Sequence, residues 1–156
     1  MLIIVIMIGV VLADQLVKQY ILSTLQLGER IPFIPHIMQL TYAQNTGVAF
    51  GFLSDHQWIF LVLNPIIIIM LIFIIAKNMF QDKVINIALA AVIGGAIGNM
   101  IDRFRHGFVV DMFEFTFVRF AIFNVADIFI TLGGMIFIIA FIRKEFNKAK
   151  QLKRHG

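Results

Sequence analysis

The chain has 156 residues, of which 60% are hydrophobic and only 14% are charged, and its mean hydropathy is +0.93. These values lie outside the range of soluble domains and indicate one compact, polytopic membrane domain over residues 1–156. The absence of cysteine excludes disulfides, thiolate nucleophiles and cysteine-bound metals. The formal net charge is +4. No basic face with interleaved aromatic residues lies outside the apolar stretches, so we expect no nucleic-acid binding.

Four apolar stretches are each close to the roughly 20 residues that cross a hydrocarbon core about 30 Å thick. They predict transmembrane helices over about 2–22, 58–76, 84–101 and 121–142. The first stretch resembles a signal peptide, but it lacks a basic lead-in, and Asp14 stands where a small-residue cleavage site would lie. We therefore expect a retained first helix. The predicted fold class is an all-α integral membrane protein with four transmembrane helices.

The basic residues predict the orientation of these helices. The connection 77–83 and the tail after residue 142 carry two and six Lys or Arg residues, whereas the long connections 23–57 and 102–120 carry one and three. Because Lys and Arg are enriched in cytoplasmic segments, we expect both termini to be cytoplasmic. Both long connections then face outward, and a functional site would lie between them.

The first long connection has features of a small β-structure. Residues 38–42 alternate between apolar and polar side chains, which is the period of a half-exposed strand. Pro32 and Pro35 disfavour a helix and suit an edge strand or a turn, and Asn45 and Gly47 are turn residues. We therefore expect a small extracytoplasmic β-cradle or loop on the outer membrane surface, with Asn45 and Gly47 either binding a peptide or forming a plain turn.

Two aspartates lie at the predicted outer face. Asp127 is the only charged residue in the stretch 121–142, about six residues into it, and Asp111 follows two valines just upstream. A charge in a membrane span is costly and is retained mainly where it has a function. Two neighbouring carboxyl groups suggest a water-activating pair. The alternative for Asp127 is a structural aspartate that pairs with Lys18 or Arg103.

Other polar residues in the spans have both structural and functional interpretations. Asp14 and Lys18 are four residues apart, so they share a helix face and can form an ion pair, although direct catalysis by Asp14 is the alternative. Asn99, Asp102 and Arg103 share one face of the third helix. Arg103 could hold a substrate carbonyl or a lipid head group, or it could pair with Asp102.

Two further features have a structural explanation. Gly94 and Gly98 have the spacing of a close helix-packing motif. His36, Arg105 and His106 are interpreted as loop residues, and no His and carboxylate spacing indicates a metal site. We therefore expect neither a metal nor another cofactor.

Five motifs in this order resemble the signal peptidase II family, the bacterial prolipoprotein signal peptidases, which are aspartic peptidases of family A8. The motifs are Asp14-Gln15-x-x-Lys18, Asn45-x-Gly47-x-Ala49-Phe50-Gly51, Gly94-Gly95-Ala96-x-Gly98-Asn99-x-x-Asp102-Arg103, Val109-Val110-Asp111 and Phe123-Asn124-x-Ala126-Asp127. They extend from residue 14 to residue 127, and the four predicted spans fit the same family.

The resemblance implies a role for each matching residue. Asp111 and Asp127 would be the catalytic dyad, Asp14, Lys18 and Asp102 would support the site, and the expected substrate-binding residues are Asn45, Gly47, Asn99, Arg103 and Asn124. The expected reaction is endoproteolysis of diacylglyceryl-modified prolipoproteins on the N-terminal side of the lipidated Cys. The implied location is the bacterial cell membrane, and the implied contacts are membrane lipids and globomycin-type inhibitors. We expect a monomer, since one chain contains every motif.

Two other classes of function remain open at this point. Membrane-embedded Asp, Lys and Arg also mark ion pathways, so a small transporter subunit is one alternative. A non-catalytic scaffold that binds lipoprotein precursors is another. Against transport, the polar residues cluster at one membrane face, and the second and third spans contain no charge at mid-depth. A scaffold would tolerate the loss of either aspartate.

Overall fold

The computed structural model describes residues 1–47 and 57–155. Its helices and strands are α1 (Leu2–Thr24), β1 (Arg30–Ile34), β2 (Met38–Asn45), α2 (Gln57–Ala76), α3 (Lys83–His106), β3 (Val109–Phe115) and α4 (Val125–His155). All four helices are long and apolar enough to cross a membrane. The predicted fold class, four transmembrane helices with a small β-structure, is confirmed.

Helix α3 lies at the centre of the bundle and packs against α1, α2 and α4. Small residues permit this close approach, as the sequence predicts. A Cβ atom on Gly94 would lie 2.8 Å from the Cβ of Val10 in α1, and one on Gly95 would lie 2.5 Å from the carbonyl oxygen of Ala126 in α4. The glycines of α3 therefore bring the backbones of α1 and α4 close to the central helix, where no larger residue fits without a shift.

The three strands form one antiparallel sheet in the order β1-β2-β3. The strand predicted over residues 38–42 is confirmed as part of β2, and Pro32 lies in the edge strand β1. Strand β3 was not predicted, and it brings the second long connection into the sheet. Buried Val110 and Met112 of β3 pack against Ile21 and Leu25 at the end of α1, which fixes the sheet to the helices.

Two helix boundaries differ from the predicted spans in ways that affect the site. Helix α3 continues to His106 and ends at Gly107, whose φ of 76° is the left-handed conformation common after a helix. Helix α4 begins at Val125 instead of residue 121, because the backbones of Phe123 and Phe113 exchange hydrogen bonds of 2.8 and 3.1 Å. Asp127 therefore lies in the first turn of α4 and not six residues inside it, which corrects the predicted depth.

Candidate active site

Strands β2 and β3 place Asn45 and Asp111 side by side. Leu40 pairs with Phe113, but Ala43 pairs with Asp111, so β2 contains one extra residue between the two pairs. Such a bulge reverses which side chains of β2 face a given side of the sheet. Asn45 consequently shares the face of Asp111, and its Nδ2 donates a 2.9 Å hydrogen bond to Asp111 Oδ2.

The N-terminus of α4 positions Asp127 through a reciprocal pair of hydrogen bonds. Asn124, immediately before the helix, accepts a 2.9 Å bond from the N–H of Asp127, and Asp127 Oδ2 accepts a 3.1 Å bond from the N–H of Asn124. This is a capping box, with Asp in place of the more usual Glu or Gln. The positive end of the helix dipole also favours a carboxylate at this position. The side chain of Asp127 is therefore held at the helix end.

Two asparagine side chains join the aspartates. Asn124 Nδ2 donates to Asp111 Oδ1 at 2.6 Å and to Asn99 Oδ1 at 3.0 Å. Asn99 Nδ2 in turn donates to Asp127 Oδ1 at 2.8 Å. With the bond from Asn45, each of the four carboxylate oxygens accepts a hydrogen bond from a neutral amide, and the asparagines hold the two aspartates in one network.

Asp111 is surrounded by groups that make its ionisation difficult. Its exposed fraction is only 2%. Burial, and secondly the nearby charge of Asp127, raise the pKa of Asp111 from 3.8 to about 7, against the opposing effects of Asn45, Asn124 and Lys18. A carboxyl group with a pKa near neutrality can accept and release protons at physiological pH, which is the property required of a general acid or base.

A buried ion cluster lies beneath this network. Lys18 Nζ is 2.8 Å from Asp14 Oδ2 and 2.9 Å from Asp102 Oδ2, and it donates a 2.8 Å hydrogen bond to Asn99 Oδ1. All three protons of the ammonium group thus have acceptors. The predicted Asp14–Lys18 pair is present, and among the described residues no ion pair joins Lys18 to Asp127.

The ion cluster also connects the elements that carry the aspartates. Asp14 Oδ1 accepts a 2.9 Å bond from the N–H of Ala126 at the start of α4, and Asp102 Oδ2 accepts a 3.0 Å bond from the N–H of Val110 in β3. Gln15 Nε2 donates to Asp102 Oδ1 at 2.9 Å. The residues preceding Asp127 and Asp111 are each tied to a buried carboxylate, so the cluster supports both sides of the site.

Arg103 does not pair with Asp102, because its guanidinium group points elsewhere. Nη2 donates a 3.0 Å bond to the carbonyl oxygen of Gly47, and the group lies 4.8 Å from the centre of the Phe60 ring. Its Nε is buried and has no hydrogen-bond partner among residues 1–47 and 57–155. Among the described residues no ion pair joins Arg103 to Asp102, which contradicts that alternative from the sequence, and Arg103 instead lines the cavity.

The carboxyl groups open into a cavity of about 630 Å³ between the sheet and helices α2, α3 and α4. Most of the lining is apolar, including Phe60, Phe123 and Ile128. The polar side chains in the lining are those of Asn45, Asn64, Asn99, Arg103, Asp111, Asp127 and Thr131. The structure therefore combines a small polar centre with a largely apolar wall. Within residues 1–47 and 57–155, no cluster of His, Cys, Asp or Glu has the geometry to hold a metal ion.

Six of the predicted site residues line one cavity: Asn45, Gly47, Asn99, Arg103, Asp111 and Asp127. Asn124 does not line it and instead lies fully buried behind the aspartates. Ala49, Phe50 and Gly51 of the second motif lie outside the described residues. The sequence analysis assigned no role to Gln15, Asn64 or Thr131. The polarity of Asn64 and Thr131 within apolar helices was the available signal for these two residues.

Comparisons with known proteins point to one family. Residues 6–143 match the family model for Signal peptidase (SPase) II, Peptidase_A8. The chain is 45% identical over 134 residues to the lipoprotein signal peptidase of Streptococcus pneumoniae, covering 86% of this chain and 88% of that protein. It is 41% identical over 145 residues to the lipoprotein signal peptidase of Lactococcus lactis subsp. lactis, covering 93% and 95%.

Solved structures share the fold. A bacterial membrane enzyme determined by the in meso method at 2.3 Å resolution superposes with a TM-score of 0.88 at 34% identity, over 94% of this chain and 90% of that one. A second, at 1.9 Å resolution, gives a TM-score of 0.82 at 35% identity, over 89% and 91%. Sequence and structure agree along nearly the whole chain, and the protein therefore belongs to the signal peptidase II family of bacterial membrane aspartic peptidases.

Proposed function

We propose that this protein removes signal peptides from diacylglyceryl-modified prolipoproteins, cleaving N-terminal to the lipidated Cys through the dyad of Asp111 and Asp127. The observation that carries the proposal is the pair of amide-bonded aspartates that opens into one cavity, in a chain of the signal peptidase II family. The substrate supplies the cysteine, so the absence of cysteine from this chain is consistent with the reaction.

The two aspartates share one proton during catalysis. The raised pKa of Asp111 supports this, since one carboxyl group is then protonated while the other is ionised near neutral pH. The ionised carboxylate takes a proton from water as its oxygen attacks the scissile carbonyl carbon, and the protonated carboxyl donates to the carbonyl oxygen. The tetrahedral intermediate collapses when the protonated carboxyl gives its proton to the leaving amine nitrogen and a hydroxyl of the intermediate returns a proton to the ionised carboxylate, which restores the shared proton. No covalent acyl-enzyme forms.

Polar groups around the dyad position the substrate backbone. Arg103 lines the cavity, and its Nη2 donates a hydrogen bond to the carbonyl oxygen of Gly47, two residues from Asn45. Charge-assisted hydrogen bonds from a guanidinium group are the strongest available here for a peptide carbonyl. Asn45 and Asn99 also line the cavity and already orient the carboxyl groups, so substrate binding and dyad geometry depend on the same side chains. Asn124 acts from behind the dyad.

The apolar wall fits the lipid and the signal helix of the substrate. Phe60 and Leu132 line the cavity from α2 and α4, the two helices whose remaining surfaces consist largely of exposed hydrophobic side chains. A diacylglyceryl group and an apolar signal segment bury favourably against such surfaces, whereas a soluble peptide would not. Membrane lipids cover the rest of these helices. The lining therefore supports a membrane-tethered substrate over a soluble one.

The excess of basic residues in the connection 77–83 and the tail supports a dyad on the outer face and both termini in the cytoplasm. The dyad lies at the end of the bundle that carries the sheet, opposite the connection 77–82 and the C-terminal end of α4. Because the chain has no cysteine, single cysteines at Gln39 and Gln81 can be tested in intact spheroplasts with a membrane-impermeant maleimide. Labelling of the first and protection of the second is expected. The reverse pattern would overturn the orientation.

The decisive test is cleavage of a purified, diacylglyceryl-modified prolipoprotein in detergent or bilayers. Wild-type protein should cleave it, and Asp111→Asn and Asp127→Asn should each lose at least about 10³-fold in kcat, since either change removes a proton-transfer group. Asp82→Asn is the matched control, because Asp82 caps α3 at the opposite end of the bundle and Asn caps equally well. Normal turnover by either dyad variant would refute the dyad mechanism.

The same preparation separates the rival functions. A scaffold would bind the precursor without cleaving it and would tolerate either aspartate substitution. A transporter subunit would neither cleave the precursor nor bind globomycin-type cyclic peptides, which the protease should bind. A folded wild-type protein that cleaves no lipidated precursor would shift the assignment to one of these two classes.

A further inference from the structure

A second groove lies at the end of the bundle opposite the dyad, between the start of α3 and the C-terminal half of α4. Its volume is about 570 Å³. The α4 residues that line it follow helical spacing along a single face: Ile136, Ile139, Ala140, Arg143, Lys144, Asn147, Lys148 and Gln151. Val84 and Asp82 form the opposite wall. The dyad mechanism uses none of these residues.

The chemistry of this face changes abruptly along the helix. Up to Ala140 the face is apolar, with Ile136 and Ile139 exposed, and from Arg143 onward it carries three cations. At 1.5 Å per residue, the 31-residue helix is about 46 Å long, so it extends beyond a hydrocarbon core of about 30 Å. The change from isoleucine to cation therefore falls where the helix leaves the apolar core.

The cations of the groove are not neutralised by ion pairs among the described residues. In the part of the chain that the structure describes, Arg143, Lys144 and Lys148 take part in no ion pair. The one acidic side chain in the groove, that of Asp82, is engaged by the N–H groups of Val84 and Ile85 through Oδ1. The groove thus carries an excess of positive charge above an apolar floor.

We propose that this groove binds one anionic phospholipid, with the phosphate-bearing head group against Arg143, Lys144 and Lys148 and an acyl chain against Val84, Ile136 and Ile139. Basic pockets between transmembrane helices attract anionic head groups, and Lys and Arg at a helix end reach the interface while their stems remain on apolar surface. Only a ligand that joins an anion to a hydrocarbon chain matches both halves of the groove. This site is separate from the proposed active site.

The test compares the lipid retained by the intact, detergent-purified protein after exposure to equal amounts of phosphatidylglycerol and phosphatidylcholine, read by native mass spectrometry. Wild-type protein should retain phosphatidylglycerol preferentially. Arg143→Gln with Lys148→Gln should reduce that preference about tenfold or more, because two head-group cations are lost. Lys77→Gln with Lys150→Gln removes the same charge from the same end of the bundle but outside the groove, and it should leave the preference unchanged.

Two further arms make the result decisive. The charge-preserving pair Arg143→Lys with Lys148→Arg should restore the preference, which separates loss of charge from misfolding. Inorganic phosphate at millimolar concentration should not displace the lipid. Equal retention of both lipids by the wild type, an equal loss in the control pair, or full displacement by inorganic phosphate would each overturn the proposal.

Discussion

Two groups of aspartates lie at the same end of this bundle, and their charges are balanced in opposite ways. Asp14 and Asp102 lie on either side of Lys18, whose ammonium group satisfies both. Asp111 and Asp127 form no ion pair among the described residues and accept hydrogen bonds from neutral groups only. In the first group the charge balance is fixed by a buried cation. In the second group no described cation lies within ion-pair distance; Lys18 and Arg103 attract its carboxyl groups from further away, and a shared proton reduces its charge.

Asn99 connects the two groups. Its Oδ1 accepts bonds from Lys18 and Asn124, while its Nδ2 donates to Asp127. Because an amide cannot exchange its acceptor and donor without rotating, Lys18 fixes which end of Asn99 faces Asp127. The closed ion cluster of Asp14, Lys18 and Asp102 therefore orients the open pair of Asp111 and Asp127 through Asn99, without forming an ion pair with it. Substitutions in the two groups should therefore have opposite effects on stability.

The largest loss of stability is expected when the closed cluster loses its cation. Lys18→Met leaves Asp14 and Asp102 buried without a counter-charge, and breaking a buried ion pair in this way costs about 3–5 kcal/mol. The free energy of unfolding in detergent measures the effect. Lys77→Met, at an exposed lysine, is the control and should change it little. A stable Lys18→Met protein without activity would instead place Lys18 in the chemistry.

Removing a carboxylate from the open pair should have the opposite effect on the free energy of unfolding. The folded-state pKa of Asp111 is raised to about 7 from 3.8, so the folded protein binds this proton more tightly than the unfolded chain. Stability from this group is therefore lost as the pH rises from about 4 to about 7. Above pH 7 the full penalty applies, so the stability of Asp111→Asn relative to wild type should rise by up to about 4 kcal/mol between about pH 4 and pH 7.

Unfolding measured at pH 5 and pH 8 checks this prediction. The stabilisation by Asp111→Asn should be larger at pH 8 than at pH 5, while catalytic activity is lost at both. Asp14→Asn is the comparison from the closed cluster, and it should destabilise the protein at both pH values because it removes a partner of Lys18. If Asp111→Asn destabilised the protein more at pH 8 than at pH 5, the assigned direction of the Asp111 pKa would be incorrect.

An intermediate loss of stability is expected at the contact between Gly95 of α3 and Ala126 at the start of α4. The Cβ of Gly95→Ala would lie 2.5 Å from the carbonyl oxygen of Ala126, which is backbone and cannot rotate away. Overpacking of this kind costs about 1–3 kcal/mol, and it would displace the residue next to Asp127. Gly134→Ala has no atom within 4 Å of the new Cβ and should stabilise α4 slightly. Thermal unfolding and cleavage rates test both, and equal stability of the two variants would contradict the tight contact.

Much of the fold follows from local patterns in the sequence. Each span is a long apolar run, and Asp14 and Lys18 share a helix face. The spans and this ion pair could therefore be predicted without knowledge of distant residues. Strand β3 was not predicted because its backbone hydrogen bonds are made to β2, which lies far away along the chain. Asn45 of β2 and Asp111 of β3, for example, are 66 residues apart in the sequence. Arg103 donates to the carbonyl oxygen of Gly47, which is also distant in the sequence. The neighbouring Asp102 was the partner that local sequence suggested, and that suggestion was misleading.

The start of α4 shows a local signal that apolarity concealed. Residues 121–123 are as hydrophobic as the helix that follows, so the apolar stretch placed the boundary too early. Asn124 and Asp127, however, have the spacing of a capping box, and that pattern locates the first helical residue at Val125. If Asn124 and Asp127 are interpreted as a helix cap as well as candidate site residues, the sequence alone predicts Asp127 in the first turn of the helix.

The smallest predicted effect concerns a hydrogen bond to the open pair. Asn45 donates to Asp111 Oδ2 and lowers the pKa of Asp111, so Asn45→Ala should raise that pKa further. Activity that needs one proton on the pair falls as the pH rises through the higher of its two apparent pKa values. The alkaline limb of the kcat profile should therefore move to higher pH in Asn45→Ala. Gln44→Ala, at an exposed neighbouring position in β2, should leave the limb in place. An unchanged alkaline limb with a raised KM would mean that Asn45 acts on the substrate alone, since only its contact with the carboxylate predicts an alkaline shift.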